Sequence, residues 1–157
     1  MQIDFSRKLI KGKIAEVVFE QMIREEGRYA VIPFGYEHTV PTLTQYRHLL
    51  EVPKIIENIS EAPDFALVSD DKSKLYLVEV KYRSVLNLEE LRKCAEKLLE
   101  RWEYSWLFVA TPDGFYCDTC SRIVQGGNLQ KLPESWVSSE RQKAYLDLLG
   151  EFGNKNK

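Results

Sequence analysis

The sequence has no long apolar run, few cysteines and almost no net charge. A membrane-spanning helix needs about 20 consecutive apolar residues, and every apolar stretch in this chain is far shorter. The opening segment MQIDFSRKLIKGK lacks the basic, then apolar, then small-residue order of a secretory signal. We therefore expect a soluble, cytoplasmic protein that does not associate with membranes.

The three cysteines are Cys94, Cys117 and Cys120, an odd number that argues against a disulfide-stapled secreted domain. Cys117 and Cys120 form one C-x-x-C, which is only half of a structural zinc site. We interpret them as ordinary thiols in or near a strand. A metal or redox pair shared between subunits is the alternative.

The charge balance and the missing motifs exclude several function classes. With 22 basic and 24 acidic residues the net charge is -2, so a polyanion could bind only to a local basic patch. No phosphate-cradling glycine motif, serine nucleophile elbow or H-E-x-x-H occurs. The 157 residues, 44% of them hydrophobic, predict one globular domain over residues 1–149. Residues 150–157 read as a flexible tail.

Hydrophobic periodicity predicts an α/β fold with alternating blocks of helix and strand. An apolar residue every three or four positions indicates a helix, and short runs of aromatic and β-branched residues indicate strands. The run WLFVA is typical of an interior strand that is covered on both faces. The predicted helices cover residues 6–26, 44–59 (broken at Pro53), 88–102 and 138–149, and the predicted strands cover 29–34, 64–68, 75–82, 106–110 and 115–123.

Charged residues interrupt the apolar pattern of the strand predicted over 75–82. Side chains alternate along a strand, so Glu79 and Lys81 share the face of Leu75 and Leu77. A hairpin with the preceding strand would bring Asp64 beside Glu79. Two carboxylates form an oxygen-rich site suited to Mg²⁺ or Mn²⁺, and a lysine at the rim can stabilise charge on phosphorus. These groups suit hydrolysis of a phosphodiester.

Each of these residues also has an ordinary structural interpretation. Glu79 and Lys81 could be a solvent-facing ion pair on an edge strand. Asp64 could simply begin a strand after Pro63, and Glu16 could be the exposed member of an amphipathic helix.

The spacing of these residues resembles a known nuclease signature. Pro63-Asp64, followed after fourteen residues by Glu79-Val80-Lys81, is similar to the motif of the PD-(D/E)XK nuclease superfamily. The segment from Gly12 to Glu16 is similar to the G-x-x-x-E start of archaeal Holliday-junction-resolving and restriction-like members. The resemblance implies a restriction-endonuclease-like α/β core, a central mixed sheet flanked by helices in the order αβββαβ.

The resemblance also implies a role for each site residue. Asp64, Glu79 and the Val80 carbonyl would bind Mg²⁺, with Mn²⁺ able to substitute, and Lys81 would position or activate the attacking water. Glu16 would be the third acid, with Glu20 as the alternate one helical turn later. The expected activity is metal-dependent cleavage of DNA, and the expected assembly is a homodimer.

Basic residues near the N-terminus are candidates for contacts with the DNA backbone. Lys93, Lys97 and Arg101 form a second row, which we interpret as a solvated helix face paired with glutamates. The segment over residues 35–61 is where we expect substrate or partner specificity. The candidate DNA contacts are Arg7, Lys8, Lys11, Lys13 and Arg83.

Two hypotheses from other functional classes stay open. The modest net charge is compatible with a nuclease fold that has lost catalysis and only binds nucleic acid or assembles with partner proteins. A protein-interaction domain that uses Trp136 and the last helix is the weaker idea.

Overall fold

The computed structural model describes residues 3–34 and 62–153, so the predicted helix over 44–59 and the predicted specificity segment over 35–61 lie outside the described residues. Within the described residues the chain forms four helices and five strands. In chain order they are α1 (Ile3–Glu26), β1 (Tyr29–Pro33), β2 (Phe65–Ser69), β3 (Leu75–Tyr82), α2 (Leu88–Leu99), β4 (Ser105–Thr111), β5 (Gly114–Thr119), α3 (Cys120–Val124) and α4 (Ser139–Gly153).

The five strands form one mixed sheet in the order β1-β2-β3-β4-β5. The pairs β1–β2, β2–β3 and β4–β5 are antiparallel, whereas β3 and β4 are parallel and α2 connects them. The predicted mixed α/β sheet flanked by helices is confirmed. The predicted hairpin between the second and third strands is confirmed as well, with Phe65 opposite Val78.

Both faces of the sheet are covered. On one face α1 and α4 pack over a cluster in which the Phe19 ring lies 5.3 Å from Phe65 and 4.7 Å from Phe108. On the other face α2 and α3 cover Leu107 and Val109. Strand β4 is buried toward both layers, as its apolar sequence predicts.

Helix α1 has two unlike halves. Its buried residues, Ala15, Val18, Phe19, Met22 and Ile23, all lie in the C-terminal half, whereas residues 3–10 are all exposed. The helix ends where Gly27, with a φ of 75°, donates its N–H to the Ile23 carbonyl at 3.2 Å. None of the helices within residues 3–34 and 62–153 is apolar over a stretch long enough to span a bilayer.

Several element boundaries differ from the predicted ones. The last strand ends at Thr119, because the Thr119 hydroxyl accepts the Arg122 N–H at 3.2 Å and so begins α3. Helix α4 continues to Gly153, four residues past the predicted end of the domain. Helix α1 begins at Ile3 rather than at residue 6, and α2 ends at Leu99 rather than at residue 102.

The cysteine and tryptophan interpretations have different outcomes. Cys117 and Cys120 are both buried and free, but they belong to the clusters on opposite faces of the sheet. They are therefore core residues in and next to a strand, as predicted. Trp136 is also buried and stacks on Tyr76 with ring centroids 5.3 Å apart. A docking surface built on Trp136 was thus a wrong prediction, because its indole belongs to the core.

The β2–β3 hairpin turn holds Lys72 at a φ of 59°, a left-handed conformation that costs a non-glycine residue about 1 kcal/mol. We therefore expect Lys72→Gly to raise the free energy of unfolding by roughly 0.5 kcal/mol, measured as a shift of the urea midpoint. Lys74→Gly is the matched control, because φ of Lys74 is not positive. The control should lower stability, and a lower midpoint for Lys72→Gly would contradict the prediction.

Candidate active site

The end of β3 separates from β2, and this separation opens the candidate site. Pairing of β2 with β3 stops at Phe65 and Val78, whereas pairing of β3 with β4 continues to Tyr82. The last four residues of β3 therefore have a sheet neighbour on the β4 side only, among the residues that the structure describes. Asp64, which precedes β2, fills the start of this gap, where its Oδ2 accepts the Val80 N–H at 2.8 Å.

The structure brings the predicted signature residues together. Asp64 lies near enough to Glu79 for the negative charge of Glu79 to raise the pKa of Asp64, and the Lys81 Nζ lies 3.8 Å from the Glu79 Oε1. The side chains of Glu79 and Lys81 are only 16% and 33% exposed. Because both side chains are mostly buried and β3 as a whole lies between β2 and β4, the interpretation as a solvent-facing pair on an edge strand is wrong.

Helix α1 contributes the third carboxylate. Glu16 lies near enough to Asp64 for the charge of Asp64 to raise the pKa of Glu16, and the Lys13 Nζ lies 3.2 Å from the Glu16 Oε2. Glu20, the alternate third acid, instead accepts from Arg24 at 2.8 Å. The carboxylates of Glu16, Asp64 and Glu79 thus form one electrostatically interacting cluster.

Crowding of acids in a partly buried site perturbs their ionisation. Burial, and next the negative charge of Glu79, raise the pKa of Asp64 to about 7. Burial and the neighbouring Asp64 raise the pKa of Glu16 to about 7, although Lys13 opposes this shift. Burial also raises the pKa of Glu79 above its ordinary value, against the attraction of Lys81. The site therefore favours bound protons or another positive charge near neutral pH.

The chemistry of the donors fits a hard divalent cation, which prefers carboxylate and carbonyl oxygens. The side chains are not already arranged around a metal position, because within the described residues no three His, Cys, Asp or Glu side chains form a group that could hold a metal ion. Instead, Asp64 accepts the Val80 N–H, and Lys13 and Lys81 pair with Glu16 and Glu79. Metal binding would have to replace some of these contacts.

A cleft of about 1000 Å³ lies between the N-terminal half of α1 and the end of β3. Glu16 and Glu79 line it together with Lys81. Inside it the Lys11 Nζ lies 5.5 Å from the centroid of the Tyr82 ring. All five candidate DNA contacts also line this cleft, namely Arg7, Lys8, Lys11, Lys13 and Arg83. A locally basic cleft thus exists despite the slightly negative chain.

Arg83 differs from the other basic residues, because Glu90 on α2 holds its guanidinium. The Arg83 Nε donates to Glu90 at 2.9 Å, and Nη1 donates to the Tyr82 carbonyl at 2.8 Å. The hydrogen bonds from Arg83 keep the pKa of Glu90 below its ordinary value. Arg83 can therefore bind a phosphate only through donors that this ion pair leaves free, or after the pair opens.

Sequence reasoning did not identify two residues of this site, one in the cleft wall and one that pairs with Arg83. Tyr82 follows the signature lysine by one position and is part of the cleft wall, but an aromatic residue at a strand end is ordinarily core. Glu90 reads as one more glutamate of an amphipathic helix, and only the path of the chain between β3 and α2 places it on Arg83.

Neither the models of known protein families nor the curated proteins contain a match to this chain. Conclusions about function therefore depend on the residues and their geometry.

Proposed function

We propose that this protein is a metal-dependent nuclease of the PD-(D/E)XK superfamily that hydrolyses phosphodiester bonds of DNA. The observation that carries the proposal is that Glu79 and Lys81 line a cleft with several cations, while Asp64 accepts the N–H of Val80, the residue between them. The order of elements supports it, since a helix, three consecutive antiparallel strands, a helix and a parallel strand are what a restriction-endonuclease-like core requires.

The ligands proposed for Mg²⁺, or for Mn²⁺ in its place, are Asp64, Glu79, the Val80 carbonyl and Glu16. The bound cation would supply positive charge to a phosphate oxygen and lower the pKa of a water molecule. The raised pKa values of Asp64 and Glu16 support this assignment, because an acidic cluster that retains protons near neutral pH gains stability when a cation displaces them.

The protein's own side chains would bind and orient the substrate. Arg7, Lys8 and Lys11 would hold phosphates along α1 without reading sequence. Lys81 would donate a hydrogen bond to the attacking water or to the phosphate oxygen on which negative charge develops. Glu79 would keep the Lys81 ammonium in place, since their charged atoms are 3.8 Å apart. A homodimer belongs to the proposal because two sites are needed to cut both strands of a duplex at once.

A cleavage assay tests this function. We expect the purified chain with Mg²⁺ or Mn²⁺ to cut at least one DNA among a duplex, a single strand, a flap and a four-way junction. EDTA should stop the reaction. The Asp64→Asn variant should not cut any of these DNAs, even when metal is added. Equal cutting by Asp64→Asn and wild type would reveal a contaminating nuclease and end the proposal.

The second candidate function is binding of nucleic acid without turnover. It is favoured by one observation, that no three His, Cys, Asp or Glu side chains among the described residues form a ready group of metal ligands. Calorimetric titration with Mn²⁺ separates the candidates. A heat of Mn²⁺ binding that is present in wild type and absent in the Asp64→Asn variant supports the nuclease. DNA binding by a wild-type protein that binds no Mn²⁺ supports the inactive module.

A further inference from the structure

Gly12 occupies the interior of α1, where glycine weakens a helix relative to alanine. The usual structural reasons for a buried or turning glycine are missing. Its φ is not left-handed, and a Cβ built on it would meet no atom within 4 Å. Nothing among the described residues therefore requires the side chain to be absent, and the open space beside it belongs to the cleft.

The position of Gly12 within the cleft is specific. Lys8, Gly12 and Glu16 follow one another at four-residue steps, so they lie on one row of the helix, and all three line the cleft. Along this row a cation is followed by bare backbone and then by the carboxylate that interacts with Asp64. A polyanion held by Lys8 must pass Gly12 to reach the acidic cluster.

We propose that Gly12 is a positioning residue, the point at which the sugar–phosphate backbone of the substrate passes in direct contact with the main chain of α1. The absence of a side chain lets the substrate come close enough to the helix for a phosphate to enter the site between Glu16 and Lys81. This inference rests on the proposed nuclease function and deepens it. It predicts that the closest contact is with the backbone of the nucleic acid and not with a base.

Substitutions of increasing size test the proposal. Gly12→Ala should raise Tm by about 2–4 °C, because alanine favours the helix and its Cβ would meet no atom of the described residues within 4 Å. Gly12→Leu should also keep the fold, but it should weaken DNA binding and lower kcat/KM by about 10- to 100-fold, with Gly12→Ala in between. The readouts are thermal melting, anisotropy of a fluorescent DNA duplex in EDTA, and cleavage with Mn²⁺.

Ser6→Ala and Ser6→Leu are the matched controls. Ser6 is an exposed residue of the same helix and does not line the cleft. Both controls should favour the helix and leave binding and cleavage unchanged, which separates crowding of the cleft from stiffening of α1. Equal losses for Gly12→Ala and Gly12→Leu would indicate a need for helix flexibility and would overturn the steric proposal.

Two further outcomes are distinguishable from each other. If wild type and Gly12→Leu bind and cut DNA equally well, the proposed role of Gly12 is overturned. The proposed nuclease function is then unaffected. Wild-type protein that neither binds nor cuts any DNA tested overturns the proposed function, and this inference with it.

Discussion

Lys81→Ala should lower the rate of DNA cleavage by about 10²- to 10⁴-fold, the range expected when a side chain that assists proton transfer or stabilises charge in the transition state is lost. The expectation follows from the position of Lys81, a partly buried cation at the acidic end of the cleft. The measurement is the single-turnover rate with Mn²⁺ and saturating enzyme, so that weaker substrate binding does not enter the result.

Lys74→Ala is the control for this result. Lys74 is an exposed lysine that precedes the opposite end of the same strand, outside the cleft. Its removal takes away one charge and should leave the single-turnover rate within about twofold of wild type, because charges separated by more than a Debye length, about 10 Å, are largely screened. Lys81→Arg, which keeps the charge, shows whether charge alone suffices. A rate for Lys81→Ala equal to that of wild type would remove Lys81 from the mechanism.

Asp64→Asn should make the metal-free protein more stable at about pH 8, even though it should abolish cleavage. The folded chain raises the pKa of Asp64 from 3.8 to about 7, so it binds that proton more tightly than the unfolded chain does. Ionisation therefore costs stability: the free energy of unfolding falls as pH rises from about 4 to about 7, and the loss is complete above that window. Glu16 acts in the same direction.

Asparagine removes the charge of Asp64 and keeps an oxygen that can accept the Val80 N–H. We expect a gain of about 2 kcal/mol, or roughly 4–8 °C in Tm, at pH 8 in EDTA. The gain should shrink toward zero near pH 4, where aspartic acid and asparagine at position 64 are both uncharged in the folded protein. Mg²⁺ should raise the Tm of wild type and leave that of the variant unchanged.

Thermal melts followed by circular dichroism across this pH range, with EDTA and with Mg²⁺, are the measurement. Asp70→Asn serves as the control, since Asp70 is an exposed acid in the β2–β3 hairpin and should show neither effect. A variant at residue 64 that melts below wild type at pH 8 in EDTA would mean that the charged carboxylate stabilises the fold, contrary to the crowding described above.

The proximity of Asp64 and Glu79 was predictable because it depends on local rules. Alternation along β3 puts Glu79 and Lys81 on one face, and a hairpin with a short polar turn fixes which residue of β2 lies opposite. Glu16 was identified by the resemblance of Gly12–Glu16 to the G-x-x-x-E start, and the helix predicted around it places it three residues before the buried Phe19. The alternation of helix and strand also predicted the mixed sheet.

Other features depend on where distant parts of the chain meet, and local patterns do not contain that information. The sequence does not show that β3 separates from β2 after Val78, although this separation creates the cleft. It likewise does not show that Glu90 neutralises Arg83 across the connection to α2. The sequence also does not show whether Trp136 belongs to the core or to an interface, because its burial depends on packing against Tyr76 and Trp106 from distant strands.

The exposed half of α1 affects the energetics of substrate capture. Residues 3–10 carry Arg7 and Lys8, are all exposed, and contribute no side chain to the core that the described residues form. A helical segment of that length is marginal in water without tertiary support, so it can unwind locally at little cost to the rest of the protein. A polyanion bound to these side chains would stabilise the helical conformation of the segment. Part of the binding free energy would then be used to order residues 3–10. The net affinity for DNA would be lower as a result, which would favour release of the cut strands.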